Sequence, residues 1–284
     1  MIKVILPDEE NPLEQISASL KIIDEMEKIF NKREKVELDL SEISWILPCS
    51  ALLLAEKIKE LENKGVKIDY ILPKNDKVKK YLLDIGFPLG SKDEGNTFVP
   101  INHFSNNPED KHQINTETNN LLDKIKKKIP NQFGQSILYI LGELADNVDQ
   151  HSNFSFASIM SQYYPRKDYV DIGVLDNGVT IPYLFENNKV TFSKDSEAIR
   201  KALWGEVTTK EGETRGYGLK SCRNLAEEME GEVHVVSRKG ILILKSGKDP
   251  LCKDFLNTSL KGTLLYFRLK TPNKKIDIYK VIEK

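Results

Sequence analysis

The sequence predicts a mixed fold in two parts, an α/β unit of the order βαβαβα followed by an α+β two-layer sandwich. Three observations carry this expectation. Apolar spacing switches back and forth between period two and helical period through residues 1–90. Composition then breaks at residues 88–120, which are rich in Asn, Gly, Pro and charge. Beyond the break, helical patterns come first and a group of alternating segments follows. A length of 284 residues suits two units, each with its own core.

The elements follow in order. "IKVIL" (2–6) reads as a strand and "PLEQISASLKIIDEMEKIF" (12–30) as a helix, from its apolar residues at helical spacing. "KVELDL" (35–40) is a strand, and "CSALLLAEKIKELENKG" (49–65) a helix closed by Gly65. "VKIDYIL" (66–72) and "NDKVKKYLLDIGF" (75–87) add a strand and a helix with Gly86 near its end. Residues 1–90 thus form the first unit, and 91–117 a linker whose "TFVPINHF" stretch has apolar residues to pack on its neighbour. The second unit, 118–284, opens with helices at about 118–129 and 134–150. Strands are expected at 155–164 and 168–176, a short helix at 196–204 and a helix at 217–230. A hairpin turning at Lys239 and Gly240 (232–246) and a last strand at 262–270 complete it.

Bulk properties narrow the function. Forty-two basic against 43 acidic side chains leave a net charge of −1, which gives no overall attraction for nucleic acid or an anionic membrane. The basic run "DKIKKKI" (123–129) has its apolar residues at helical spacing and reads as a solvated helix face. Three scattered cysteines, Cys49, Cys222 and Cys252, match neither a disulfide framework nor a zinc site, so a reducing cytoplasm is expected. No signal peptide or membrane span is expected.

Three segments carry chemistry. In "ELADNVDQHS" (143–152), Glu143, Asn147 and His151 recur every four residues, so a helix stacks them on one face. The opposite face holds Ile137, Leu138, Ile140, Leu141, Leu144, Ala145 and Val148. A carboxylate and an amide beside a packed face can hold a hard cation and polarise a water; the same pattern also describes a plain polar face. In "DIGVLDNGVTIP" (171–182), Asp176 ends a strand where it can accept from an exocyclic amine, and Gly178 leaves room for a flat ring, though "NG" is also an ordinary hairpin turn. In "TRGYGLKSCRNLAE" (214–227), Gly216 and Gly218 precede an amphipathic helix whose N-terminus would attract an anion. A lone Gly-x-Gly is common, and Arg215 either adds charge there or is solvated.

Taken in this order, the segments resemble the ATP-binding domain of the GHKL superfamily, which includes gyrase, Hsp90-type chaperones, histidine kinases and mismatch-repair ATPases. "ELADNVDQH" is similar to the family's N box, "DNGVTIP" to its first glycine box, "TRGYGL" to its second and "KGTLLYF" to a late strand; the likeness spans about 118–270. The resemblance implies that Asn147 binds a Mg²⁺ bridging the phosphates of ATP and that Glu143 is the catalytic residue, orienting or deprotonating the attacking group. It implies that Asp176 accepts from the adenine amino group beside Gly178, and that Arg215, Gly216, Gly218 and Leu219 meet the phosphates. Residues 183–214 would be a mobile lid, and Thr263 would touch a water bound to adenine. Thr180 stands where the family usually has a second glycine, and would either narrow the pocket or turn its hydroxyl to the nucleotide. His151 matches a histidine of the serine-kinase and anti-sigma branch, or simply ends the helix.

"VELDLSEISWILPCSALLLAEKI" (36–58) and "YLLDIGF" (81–87) resemble the STAS fold of anti-sigma-factor antagonists. In that family a serine at this helix start is phosphorylated by a GHKL kinase. Ser50 is the nearest match, set in "PCSA" with a loop one residue longer, and equally suits a helix first turn. Cys49 reads as a small buried hydrophobe. Together the resemblances imply a Mg-ATP-binding regulatory protein, a serine/threonine protein kinase or slow ATPase in signalling. It would act on a protein partner that is itself STAS-like, and homodimerise as both families often do. The alternative is a non-hydrolysing ATP-gated switch that sequesters a partner. Neither His103 nor His112 lies in a convincing phosphoacceptor helix, so autophosphorylation on histidine is not expected.

Overall fold

The computed structural model of the chain describes residues 1–8, 10–30, 35–90, 97–105, 134–151, 154–206, 218–272 and 276–282. The expected helix at 118–129 lies outside them. Residues 1–90 form a three-stranded parallel sheet, β1 (Ile2–Lys3), β2 (Lys35–Asp39) and β3 (Lys67–Ile71), in the order β1-β2-β3. Helices α1 (Pro12–Phe30), α2 (Pro48–Asn63) and α3 (Asp76–Asp84) connect and follow the strands. Asn75 caps α3, its side chain accepting from the Lys77 N–H at 3.0 Å.

The second sheet has seven strands, every neighbouring pair antiparallel: β4 (Phe98–Ser105), β5 (Phe156–Tyr164), β6 (Tyr169–Asp176), β7 (Glu232–Arg238), β8 (Gly240–Lys245), β9 (Leu251–Asp254) and β10 (Leu260–Lys270). Their spatial order is β4-β5-β6-β10-β7-β8-β9. The edge strand β4 comes from the "TFVPINHF" stretch. Helices α4 (Gly134–His151), α5 (Ile181–Asn187), α6 (Asp195–Trp204), α7 (Gly218–Glu228) and α8 (Ile278–Ile282) complete the chain.

Period-two alternation buries this sheet on both faces. Val170, Ile172, Val174, Val233, Val235, Leu265 and Phe267 point to one side and pack with α4, α6 and α7. Met160, Leu175, Val236, Leu264 and Tyr266 point to the other and share a core with α1 and α2. The layers are therefore three-stranded sheet, helices, seven-stranded sheet, helices. Helix α2 lies between two sheets, which explains its run "CSALLLA": Cys49 through Ala55 are all buried, as a helix apolar on every side must be. Gly173 lets it approach β6, because a Cβ there would stand 2.6 Å from Leu52 Cδ1.

A charged pair is sealed beneath α2. Asp171 and Arg268 are cross-strand partners on β6 and β10 and form two parallel bonds of 2.8 Å, with Asp171 fully buried. Arg268 also donates to the Glu10 carbonyl at 2.8 Å and stacks over Tyr169 at 4.5 Å, so one guanidinium ties the first unit to the second sheet.

The stretch 183–214, expected to be a mobile lid, is folded over its described part. Helix α5 starts at Thr180, whose Oγ1 accepts from the Tyr183 N–H at 3.3 Å, with Pro182 in the first turn. Helix α6 is held by Asp254, which accepts from the Asp195 and Ser196 N–H groups at 3.0 Å. Arg238 joins Asp195 (2.8 and 2.5 Å) to Glu186 (2.8 and 3.0 Å), stapling both helices to the β7–β8 turn. Gly240 permits the fit, since a Cβ there would lie 2.6 Å from Asp195 and Ser196 backbone atoms. Residues 207–217 lie outside the described chain.

Candidate functional site

Helix α4 presents its polar face as the spacing predicts. Ile137, Ile140, Leu141 and Leu144 are buried against the sheet, and Glu143 and Asn147 stand half-buried on the other side. The Asn147 Nδ2 donates to the Glu143 carbonyl at 2.7 Å, and Oδ1 is the acceptor this amide keeps. One turn before Glu143 on the same helix, Tyr139 lies within electrostatic reach of its carboxylate. Burial and that neighbouring charge push the phenol up to about 12. The side chain of His151 lies outside the described residues.

Gly218, at the start of α7, meets this face. A Cβ on it would overlap Glu143 Oε2 and lie 3.7 Å from Asn147 Nδ2. The N-terminus of α7 is thus brought against an acid and an amide, at a glycine whose missing side chain leaves room for the Glu143 carboxylate. Leu219 turns away and packs with the core under the helices. Arg215 and Gly216 lie outside the described residues.

A second group forms at one end of the sheet. Ala157, Asp176, Thr263 and Ser237 are register partners on β5, β6, β10 and β7, and all have the parity of the helix-covered face. They form one row of small and polar side chains across four strands. Asp176 is 4% exposed and accepts from the Gly178 N–H at 2.8 Å and from the Thr263 N–H. Burial pushes its carboxyl up to about 7 against those two bonds. Thr263 and Ser237 share a 2.9 Å hydroxyl bond, and Ser237 also accepts from the Ile181 N–H at 2.9 Å. Gly262, at φ +83°, has no room for a side chain, because a Cβ would overlap the Asp176 carbonyl. Asn177 pins the adjoining corner, accepting from the Phe156 N–H at 2.9 Å and the Ser155 N–H at 3.1 Å.

The structure thus brings Glu143, Asn147 and Gly218 together, and separately Asp176, Gly178 and Thr263. Thr180 is the cap of α5 and adopts an extended φ of −80°, which asks for no glycine. Ser237, Tyr139 and Gly262 were missed as site residues. Ser237 continues the period of Val233 and Val235, but only strand register shows that it reaches Thr263.

His103 on β4 is held between Ser158 Oγ (2.8 Å) and the Pro88 carbonyl (3.1 Å), and burial lowers it to about 4, so it stays neutral. His112 lies outside the described residues. The Cys49 thiol is pushed up to about 12 by burial. Ser50 is fully buried within α2. Among the described residues no three His, Cys, Asp or Glu side chains form a metal cluster, and no helix is long and apolar enough to cross a membrane.

Residues 134–273 match the family described as histidine kinase-, DNA gyrase B- and HSP90-like ATPase. The match begins at α4, takes in both groups of site residues and ends after β10. No curated protein and no solved structure matches the chain.

Proposed function

We propose, taking residues 134–273 as an ATPase domain of this family, that the chain binds Mg-ATP between the α4–α7 face and the Asp176 row and acts in signalling as a protein kinase or slow ATPase. One observation carries this reading. Asp176 sits in a row of small and polar residues across four strands, on the same sheet face as a helix that presents an acid and an amide to a glycine-opened helix N-terminus.

The donor set suits magnesium. Mg²⁺ needs only one or two protein oxygens when phosphates and water complete its shell, and Asn147 Oδ1 with Glu143 nearby offers that much. A bound ion would draw charge from the phosphates and favour attack on the terminal one. Asp176 accepts from an amino group on the base, while Gly178 and Thr263 fix the carboxylate by their N–H groups. Gly218 admits a phosphate to the dipole of α7. Glu143 takes or directs the proton of the attacking hydroxyl or water.

The parallel βαβαβα order of residues 1–90 supports the reading of that unit as STAS-like. Its packing favours a second reading, an ATP-gated switch, because α2 rests on the very strand that ends in Asp176. With Ser50 buried, a phosphoacceptor serine belongs to a partner protein rather than to this chain as folded.

Calorimetry with Mg-ATP and phosphate release by the wild type and Glu143→Ala separate the readings. The enzyme reading expects release that Glu143→Ala abolishes while binding survives. Binding without release by the wild type leaves the switch, and no binding by either overturns both.

A further inference from the structure

Ser237 joins two parts of the Asp176 end of the sheet. It is fully buried on β7, opposite the place where the register of β10 shifts between Leu260 and Thr263. Its Oγ accepts from the Ile181 N–H, in the first turn of α5, at 2.9 Å. The same oxygen lies 2.9 Å from Thr263 Oγ1 and 3.4 Å from the Gly262 carbonyl. Thr263 stands between Asp176 and Ser237 in the row. The corner from Asp176 to Ile181 is thus held at one end by the Gly178 N–H on the Asp176 carboxylate and at the other by Ser237.

A hydroxyl has one proton, and this sets the direction of the Ser237–Thr263 bond. The Ile181 N–H already points at Ser237 Oγ, so the Ser237 proton has two acceptors in reach, and Thr263 Oγ1 is the nearer. If Thr263 donated instead, the Ser237 proton would be left with the carbonyl at 3.4 Å, a poor hydrogen bond. Ser237 therefore donates, and the Thr263 hydroxyl keeps its own proton. Among the described residues, Ser237 is the one partner of that hydroxyl.

We propose that Ser237 is a positioning residue for base recognition, which fixes the Thr263 hydroxyl as a proton donor beside the Asp176 acceptor and holds the start of α5 against the row. The inference rests on Asp176 as the acceptor for the base amino group. An acceptor next to a donor is the complement of adenine, whose amino group donates and whose adjacent ring nitrogen accepts, directly or through one water. Guanine presents the reverse order there, a carbonyl beside a ring N–H, and would leave both protein groups unmatched. Ser237 thus acts on base choice through Thr263, without touching the base.

The test is calorimetric titration of the full chain, with Mg²⁺, by a non-hydrolysable ATP analogue and by its 1-deaza counterpart, in which that ring nitrogen is a C–H. It compares the wild type, Ser237→Ala, Thr263→Val and the double variant. The wild type should bind the adenine form about threefold to tenfold more tightly than the deaza form. Ser237→Ala and Thr263→Val should each bring the two affinities within about twofold of one another, and the double variant should change the ratio no further. A Ser237 that only supports the fold would weaken both ligands alike. An unchanged ratio in Ser237→Ala, a wild-type ratio of about one, or additive effects in the double variant overturns the inference while nucleotide binding stands. A wild type that binds neither ligand overturns the functional reading itself. Thermal melts confirm that each variant is folded, and Ser237→Cys, whose thiol is a weak donor, carries the same expectation if Ser237→Ala is not.

Discussion

At the scale of single residues, two positions decide the chemistry. Asp176 is nearly sealed, so its charge lacks solvation and its carboxyl rises to about 7. The unfolded chain would ionise it near the ordinary aspartate value of 3.8, so between about pH 4 and 7 the native state holds the extra proton. Its contribution to stability is therefore full at low pH and is lost as pH rises toward 7. Above that point the anion lacks a strong donor, and an amino group on a bound base supplies one. Nucleotide affinity should accordingly fall as pH drops below about 7, and calorimetry across that range checks the sign. Asp176→Asn should cost about 1.5–3 kcal/mol of binding, roughly tenfold to a hundredfold, since the acceptor loses its charge. Gly218→Ala places a methyl where Glu143 Oε2 now lies. A long side chain can swing away, so the melting temperature should stay within about 2 °C while phosphate release drops about tenfold or more, because the acid is displaced.

At the scale of elements, helix ends and turns do the positioning. Helix α6 has no cap of its own: Lys194 makes no side-chain cap bond, and Asp254 from β9 supplies the acceptor. Asp195 accepts from Arg238 and from the Lys239 N–H at 3.0 Å, so it anchors α6 to a turn whose Arg238 stands at φ +56°. Asp195→Ala removes those acceptors and should destabilise the chain by about 2 kcal/mol in urea unfolding. None of this was visible in "VTFSKDSEAIRKALW", because both partners come from distant strands. Thr180 shows the opposite case. Its capping role is written locally, in a threonine two residues before a proline, and it explains why no glycine stands there.

At the scale of the whole molecule, the seven-stranded sheet is covered on both faces, by its own helices and by the N-terminal unit. Arg268 lies at that junction. Arg268→Ala would leave Asp171 buried and unpaired, at a cost of about 3–5 kcal/mol. The matched loss of both charges in Asp171→Leu with Arg268→Met should cost less. Thermal denaturation of the two variants distinguishes a required charge pair from required packing. If both melt alike, the pair itself contributes little.

The sequence by itself determined most elements, the placement of Glu143 and Asn147 on one helix face, and the strand that ends in Asp176. Those features rest on local periodicity and on turn residues, which act over a few positions. It also determined the order of the three motifs, and with it the likeness to an ATPase family that residues 134–273 match. Only the tertiary structure decided that Ser237 joins Thr263, that Gly218 meets Glu143, and that α2 runs between two sheets. Those contacts depend on strand register and on which face of a sheet meets which layer. Both are fixed by burial summed over the whole chain, which no short stretch records.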